Sequence, residues 1–551
     1  MESIIRRFHF KISLRQASLL AVVLISFALS NFTTIFYQNW FQHPDETGTY
    51  ILGRELFKNG TLELNSNLNN KYHTNVFTPG DLYYNGIKDV PRKSVGIYLI
   101  AALGFLLGSN GPFVIITITS SLSILFLYLF VRELVDRDTA LLSCIFWALS
   151  SPLIFWSNSL YGNLPALTFY LAGLYYLTQI IIGQKNTSIN YVLMGLFFSI
   201  SSLIRYEYII FVILLAPLFI KYYKMLNLYY ISFSILILLG TIVSMYLINI
   251  HFYGSAVPMS YVADVQGLKN TINSDKQNHS IVNKIIMGMS SIYKRFLSQD
   301  TNPNWKTIWG NFNASLIYNN VLLILLGVPG IIVFLFKKNN KLILLMPLVI
   351  SLIWAYDTFG GFHWGEGMIG AGLVYIRYIN ITYLVLSIFC GYFITYLIKK
   401  RIFNERLLLP IIISFFIFQS FTSLFGSSVD LYSNISEKKA FYEVNEKVKQ
   451  LPYNSIIVTG FYNKAIIDRP TLSYSNFTGD NEYKKKQTEK LIKKLMKDKY
   501  DVFLIEAKFH TPSFINLEDY IRTNTSIKLT TTSSTLLENY YQVNILRLSE
   551  N

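Results

Sequence analysis

Long apolar runs alternate with short polar connections over most of this chain. The runs occupy roughly 17–37, 94–108, 112–131, 138–157, 164–183, 189–205, 207–220, 226–250, 319–336, 342–357, 373–397 and 405–426. A helix rises about 1.5 Å per residue and a bilayer's hydrocarbon core is about 30 Å thick, so the longer runs fit membrane spans. The pattern predicts an α-helical polytopic membrane protein. From Ser436 onward the runs shorten and charge density rises. Glu437–Leu451 and Tyr483–Lys499 have helical periodicity, while Ser455–Thr459, Asp501–Glu506 and Tyr540–Leu548 read as strands. Residues 1–430 therefore form a transmembrane domain and residues 431–551 a small α/β domain.

The basic loops orient the spans. Arg6–Arg15, Arg132–Arg137, Lys185, Lys221–Lys224, Lys337–Lys341 and Lys399–Arg406 fit the cytoplasmic side. Three apolar runs lie between Arg15 and Arg132, but the number of crossings there must be even. The run at 94–108 makes a helix of only about 22 Å, so it is expected to lie in the outer interface. About eleven spans remain, with the N-terminus cytoplasmic and the C-terminal domain extracytoplasmic. A single long helix over 189–220 would put Lys185 and Lys221 on opposite sides, so two short spans meeting at Arg205-Tyr206-Glu207 are expected.

Composition supports this class. The chain is 52% hydrophobic and only 15% charged, against about 25% in soluble domains. The net charge of +16 sits largely in the short loops, and no nucleic-acid motif accompanies it. Cys144 and Cys390 lie in separate apolar runs, with neither disulfide nor metal-ligand spacing. The apolar run after Arg15 continues to Tyr37, which reads as an uncleaved first span. A prokaryotic cell membrane is the favoured setting.

Candidate chemistry gathers at the outer ends of the runs. Asp45 and Glu46 follow the first span, on what reads as a loop anchored by Pro44, with a helix-like stretch over Tyr50–Phe57. Arg92, Lys93, Arg205, Glu207, His363, Glu366 and Arg377 fall on the same side. The centres of the runs lack Asp, Glu, Lys and Arg, unlike those of ion-coupled carriers. Acids and bases lining one interface suit a lipid-linked substrate. A carboxylate there can take a proton from an acceptor hydroxyl, and Lys or Arg can neutralise a departing phosphate.

The order of features resembles the GT-C membrane glycosyltransferases, in particular the protein O-mannosyltransferase and lipid A aminoarabinose transferase group. The resemblance rests on Pro44-Asp45-Glu46, then Pro91-Arg92-Lys93-Ser94-Val95-Gly96-Ile97-Tyr98 up to Leu107-Gly108. It continues through Tyr128–Leu134, Ser151-Pro152, Phe252–Pro258 and Arg377-Tyr378. It covers roughly residues 15–430. It implies a polyprenyl-phosphate-linked sugar donor and inversion at the anomeric carbon. Asp45 matches the general base and Glu46 its neighbour. Lys93 matches a phosphate-contacting position, and Arg377 a second phosphate partner, with Arg92 and Arg205 as further donor-phosphate candidates. Asn163, Glu207, His363 and Glu366 are candidates for supporting or acceptor-side roles. Relatives often carry an acid where this chain has Asn163. That departure weighs against a two-acid or metal-bridged site, so neither cofactor nor metal is assigned and metal dependence stays open. The bilayer is one partner; the acceptor, whether protein, lipid or glycan, stays open. Two alternatives remain: an oligosaccharide ligase or polymerase with a diphosphate-linked donor, and a non-catalytic carrier of lipid-linked glycans.

Overall fold

A computed structural model describes residues 14–254 and 305–550, apart from short stretches at 37–39, 42, 183–186, 337–341, 362–375, 403, 426–430, 460–465, 474–481, 509–520, 523–524, 526 and 538–540. The apolar runs are helices. Gly111–Leu134, Asn163–Ile181, Leu228–Tyr253 and Asn380–Lys399 are each long and apolar enough to cross a membrane. Thr307–Ile317 and Asn320–Phe336 meet at 101° and would together make a fifth. Shorter apolar helices, such as Ser188–Ile204 and Leu407–Ser420, stand beside them. Leu228–Tyr253 exposes Leu236, Leu239, Val243 and Leu247. An apolar helix that the protein leaves uncovered fits a lipid environment.

The interior is sealed by close contacts. A Cβ on Gly391 would stand 2.7 Å from the backbone nitrogen of Ser143, so Asn380–Lys399 and Arg137–Ala148 nearly touch. Trp147 is fully buried there and donates its indole N–H to Ser123 Oγ at 2.8 Å.

The run at 94–108 forms a helix over Gly96–Gly104 and a 3-10 turn over Phe105–Leu107, closed by Gly108 at φ +93°. Ile97, Tyr98, Ala101 and Ala102 face the protein, while Leu99, Leu103, Leu106 and Leu107 are exposed. A short helix with one buried and one exposed apolar face suits an interface better than a crossing. The run at 189–220 is broken, as expected, with Ser188–Ile204 ending before Glu207–Ile213 begins.

The segment between the acidic stretch and Gly96, the first outer loop of the sequence reading, holds more structure than its sequence suggested. Strands β1 (Leu64–Asn65), β2 (Tyr83–Tyr84) and β3 (Lys88–Val90) form an antiparallel sheet in the order β1-β3-β2. The tail carries β4 (Ser455–Thr459), β5 (Thr471–Ser473), β6 (Asp501–Lys508), β7 (Ile527–Leu537) and β8 (Tyr541–Glu550) in the order β5-β4-β6-β8-β7. β5, β4 and β6 run parallel, and β8 and β7 add antiparallel. The sequence pattern anticipated three of these five strands. β5 is very short, and β7 (I-K-L-T-T-T-S-S-T-L-L) is a polar edge strand without a clear apolar face.

The tail leans on the first outer loop. Tyr72 donates its hydroxyl to Asp498 at 2.6 Å, and Lys71 pairs with the same carboxylate at 2.8 Å. Phe441, Val444 and Phe503 share an apolar cluster with Phe41, Tyr50 and Tyr98. That contact places the tail behind the elements that carry the candidate site.

Candidate active site

Pro44, Asp45 and Glu46 do not lie on a loop. They form the first turn of a helix, Pro44–Asn59, with Pro44 at its start. Proline lacks an N–H that the first turn does not need, and carboxylates near a helix N-terminus meet its positive end. Successive helix residues point about 100° apart, and the two acids diverge accordingly. Glu46 is fully buried and accepts the Leu160 backbone N–H at 3.1 Å. Asp45 turns the other way, keeps 24% of its side chain exposed and forms an ion pair with Lys93.

A second carboxylate, Asp81, stands beside this pair. It follows a turn in which Gly80 has φ +58°; a Cβ there would meet Gly48 N at 2.7 Å and Pro44 O at 2.8 Å. Only glycine fits so close an approach with that backbone. The Asp81 N–H donates to Pro44 O at 3.0 Å, which fastens the turn to the acidic helix. The Asp81 carboxylate meets Arg92 at 2.5 Å and Lys93 at 3.2 Å. Buried Asp89 on β3 holds the preceding loop, accepting from Thr78 Oγ1 at 2.8 Å and Ser66 Oγ at 2.7 Å. Nothing in the sequence flagged Asp81 beyond the Pro79-Gly80 turn signal before it.

Arg377 sits on the turn before Asn380–Lys399, 8% exposed. Its guanidinium lies 4.0 Å from the centre of the Tyr161 ring and 5.3 Å from that of Trp156. Nη2 donates to the Tyr378 hydroxyl at 3.1 Å. Nε and Nη1 are buried without a hydrogen-bond partner among the described residues. The Lys93 ammonium lies 6.0 Å from the same Tyr161 ring. Two cations far apart in sequence thus share one aromatic face.

Asn163 and Arg205 support this turn. Asn163 Nδ2 donates to the Arg377 carbonyl at 2.9 Å, and Arg205 Nη1 donates to Asn163 Oδ1 at 2.8 Å. Arg205 also pairs with Glu207, with Nε to Oε2 at 3.2 Å. Trp354 donates its indole N–H to the Tyr378 carbonyl at 2.5 Å. Arg92 pairs with Asp81, whereas Lys93 bridges Asp45 and Asp81 and lies with Arg377 beside the Tyr161 ring. His363 and Glu366 lie outside the described residues.

Electrostatics separate the two carboxylates. Burial pushes the Asp45 carboxyl up, but Lys93 and Arg377 more than offset this and hold it well below the usual carboxylate range. Burial dominates at Asp81, and with the Asp45 charge beside it the net shift is upward despite Lys93 and Arg92. Burial holds the Tyr161 phenol far above its ordinary value, so it stays neutral and able to donate.

A short apolar helix, an acidic helix start and two cations beside one aromatic ring thus come together among the apolar helices. The sequence matches the family described as dolichyl-phosphate-mannose-protein mannosyltransferase over residues 92–248. That window holds Arg92, Lys93, Asn163, Arg205 and Glu207. A comparison with curated proteins finds no match. Among solved structures, the chain is similar to ArnT from Cupriavidus metallidurans bound to undecaprenyl phosphate. The TM-score is 0.55 at 11% identity, over 96% of this chain and 97% of that one. It is also similar to the oligosaccharyltransferase AglB from Archaeoglobus fulgidus, in complex with an inhibitory peptide and a dolichol-phosphate. There the TM-score is 0.53 at 13% identity, over 90% of this chain and 70% of that one. The fold is that of the GT-C glycosyltransferases, and the resemblance read from the sequence stands.

Proposed function

We propose that this protein moves a sugar from a polyprenyl-phosphate donor to an acceptor hydroxyl at the outer face of the membrane. The observation that carries this reading is the pairing of Asp45 with Lys93 beside Arg377, whose Nε and Nη1 have no hydrogen-bond partner among the described residues. Those donors lie in the guanidinium plane, where each can take a phosphate oxygen. Lys93 supplies a second positive charge beside the same Tyr161 ring.

In the proposed reaction the acceptor oxygen attacks the anomeric carbon opposite the phosphate. Asp45 takes the hydroxyl proton as the new C–O bond forms. The bond from the anomeric carbon to the phosphate oxygen breaks, and the growing charge on that oxygen falls between Lys93 and Arg377. A carboxylate held by Lys93 is a weak base. A donor phosphate that draws the ammonium toward itself strengthens Asp45 at the moment it is needed.

Lys93 and Arg377 are the cations this reading assigns to the donor phosphate, taken as a monophosphate. The reading places Lys185 and Lys337 in the cytoplasm and the tail outside, with the shorter apolar helices completing the spans. It is tested with purified protein in lipid nanodiscs and a panel of polyprenyl-phosphate and polyprenyl-diphosphate sugars. Transfer from a monophosphate donor is expected. Transfer from diphosphate donors alone would overturn the reading.

A further inference from the structure

Asp81 has no place in the reaction as described, yet it is built into the site more firmly than Asp45. Gly80 allows its turn to press against the acidic helix, and the Asp81 N–H is bonded to the Pro44 carbonyl one residue before Asp45. The Lys93 ammonium bridges the two acids, reaching Asp81 Oδ2 at 3.2 Å while paired with Asp45 Oδ2. The two carboxyl groups thus flank one ammonium, close enough for the charge of each to act on the other. Asp81 keeps 14% of its side chain exposed against 24% for Asp45. Two carboxylates this close favour the state in which they hold one proton between them.

We propose that Asp81 is the proton-holding partner of Asp45: the hydroxyl proton passes through Asp45 to Asp81, and Asp81 keeps Lys93 in place meanwhile. The step rests on the glycosyl-transfer reading above and balances with it. The acceptor O–H bond breaks, its proton goes first to an Asp45 oxygen and then to Asp81. Asp45 returns to its ionised form beside Lys93, and Asp81 later releases the proton to water. The charged and titratable groups around Asp81 are Asp45 from the acidic helix, Arg92 and Lys93 from the segment after β3, and Tyr98 from the interfacial helix. Arg377 acts on Asp45 from the far side. The balance of those groups agrees with the assignment, since Asp81 is the acid whose proton affinity is raised and Asp45 the one whose affinity is lowered. Asp81 acts through Asp45 and is a positioning residue with a proton role, not the group that touches substrate.

Infrared-detected acid titration of the full-length protein tests the proposal without requiring turnover. Buried Asp89 also titrates above the ordinary carboxylate range, so the test reads difference spectra: wild type minus Asp81→Asn should show one protonated-carboxyl band that appears above that range. In Asp45→Asn the band should persist but appear at lower pH, because the like charge that raised it is gone. A band that survives in Asp81→Asn and vanishes in Asp45→Asn would put the proton on Asp45 and overturn the proposal. In turnover, Asp81→Asn should lower kcat on the order of tenfold with donor KM little changed. It should also move the acid limb of the pH–rate profile to lower pH, since Asp45 would titrate alone beside Lys93 and Arg377. An unmoved acid limb would equally reject the proton role. If no polyprenyl-phosphate sugar supports transfer while the bands behave as described, the functional reading fails and the carboxyl pair stands.

Discussion

Replacing Arg377 with methionine separates phosphate binding from folding. Its Nε and Nη1 are buried without a partner among the described residues, so a ligand oxygen on each would complete the guanidinium. A hydrogen bond to a charged group contributes about 1.5–3 kcal/mol. Two such bonds at the low end give about 3 kcal/mol, on the order of a hundredfold in Kd. Arg377→Lys keeps the charge but loses the fork and should lose about tenfold. The apo-protein should lose little stability, because methionine of similar length fills the space against Tyr161 and removes a buried cation with unmet donors. The assay is thermal unfolding in detergent with a short-chain polyprenyl phosphate that carries no sugar. At a ligand concentration near 100 Kd the wild type gains about 2.7 kcal/mol, and at that concentration the variant should gain only about 0.4 kcal/mol. An unchanged ligand-induced gain, together with an apo-protein destabilised by 2 kcal/mol or more, would show that Arg377 is a structural residue. The phosphate assignment would then be withdrawn.

Further predictions concern the frame of the site and its orientation. Glu46→Ala leaves the buried Leu160 N–H without its carboxylate acceptor, so it should lower stability by about 1–3 kcal/mol, whereas Glu46→Gln keeps an acceptor and should be mild; thermal unfolding distinguishes them. Gly96→Ala would set a Cβ 2.7 Å from the Ile204 nitrogen. The interfacial helix must shift, with a loss of about 1–3 kcal/mol in thermal unfolding and reduced transfer from displacement of nearby Lys93. Single-cysteine labelling in a variant lacking Cys144 and Cys390 should reach position 45 from outside and position 185 only from the cytoplasm; outside labelling at 185 would reject the proposed orientation.

The helical frame was legible because apolar runs of span length have few alternatives in a bilayer. Gly96–Leu107 was legible as a short interfacial element from length alone. The local geometry at Pro44 was not read correctly, because an acidic stretch after a span fits a loop and a helix start equally well. The pattern Pro-Asp-Glu before Thr47 and Tyr50 is nevertheless a helix-start signal. Asp81 was invisible because its importance comes from the Gly80 turn folding back onto Pro44, a contact that no local pattern encodes. Tyr161 appeared in the sequence only as a neighbour of Asn163, and its part in bringing Lys93 and Arg377 together is a property of packing. Arg205 and Glu207 could be read as candidates from their position, but not that they pair with each other. In the tail, β7 escaped because a strand rich in Ser and Thr at a sheet edge lacks the apolar alternation that marks the others.

The central claim is that Asp45 receives the proton of the acceptor hydroxyl. Its most direct test is single-turnover transfer by Asp45→Asn with a polyprenyl-phosphate sugar that the wild type uses, measured alongside donor binding. The substitution keeps shape and removes basicity. Turnover should fall on the order of a hundredfold or more, while donor affinity and insertion into the bilayer stay close to wild type. Near-normal turnover in Asp45→Asn, with Glu46→Gln inactive at full stability, would contradict the account and move the base one residue along the helix.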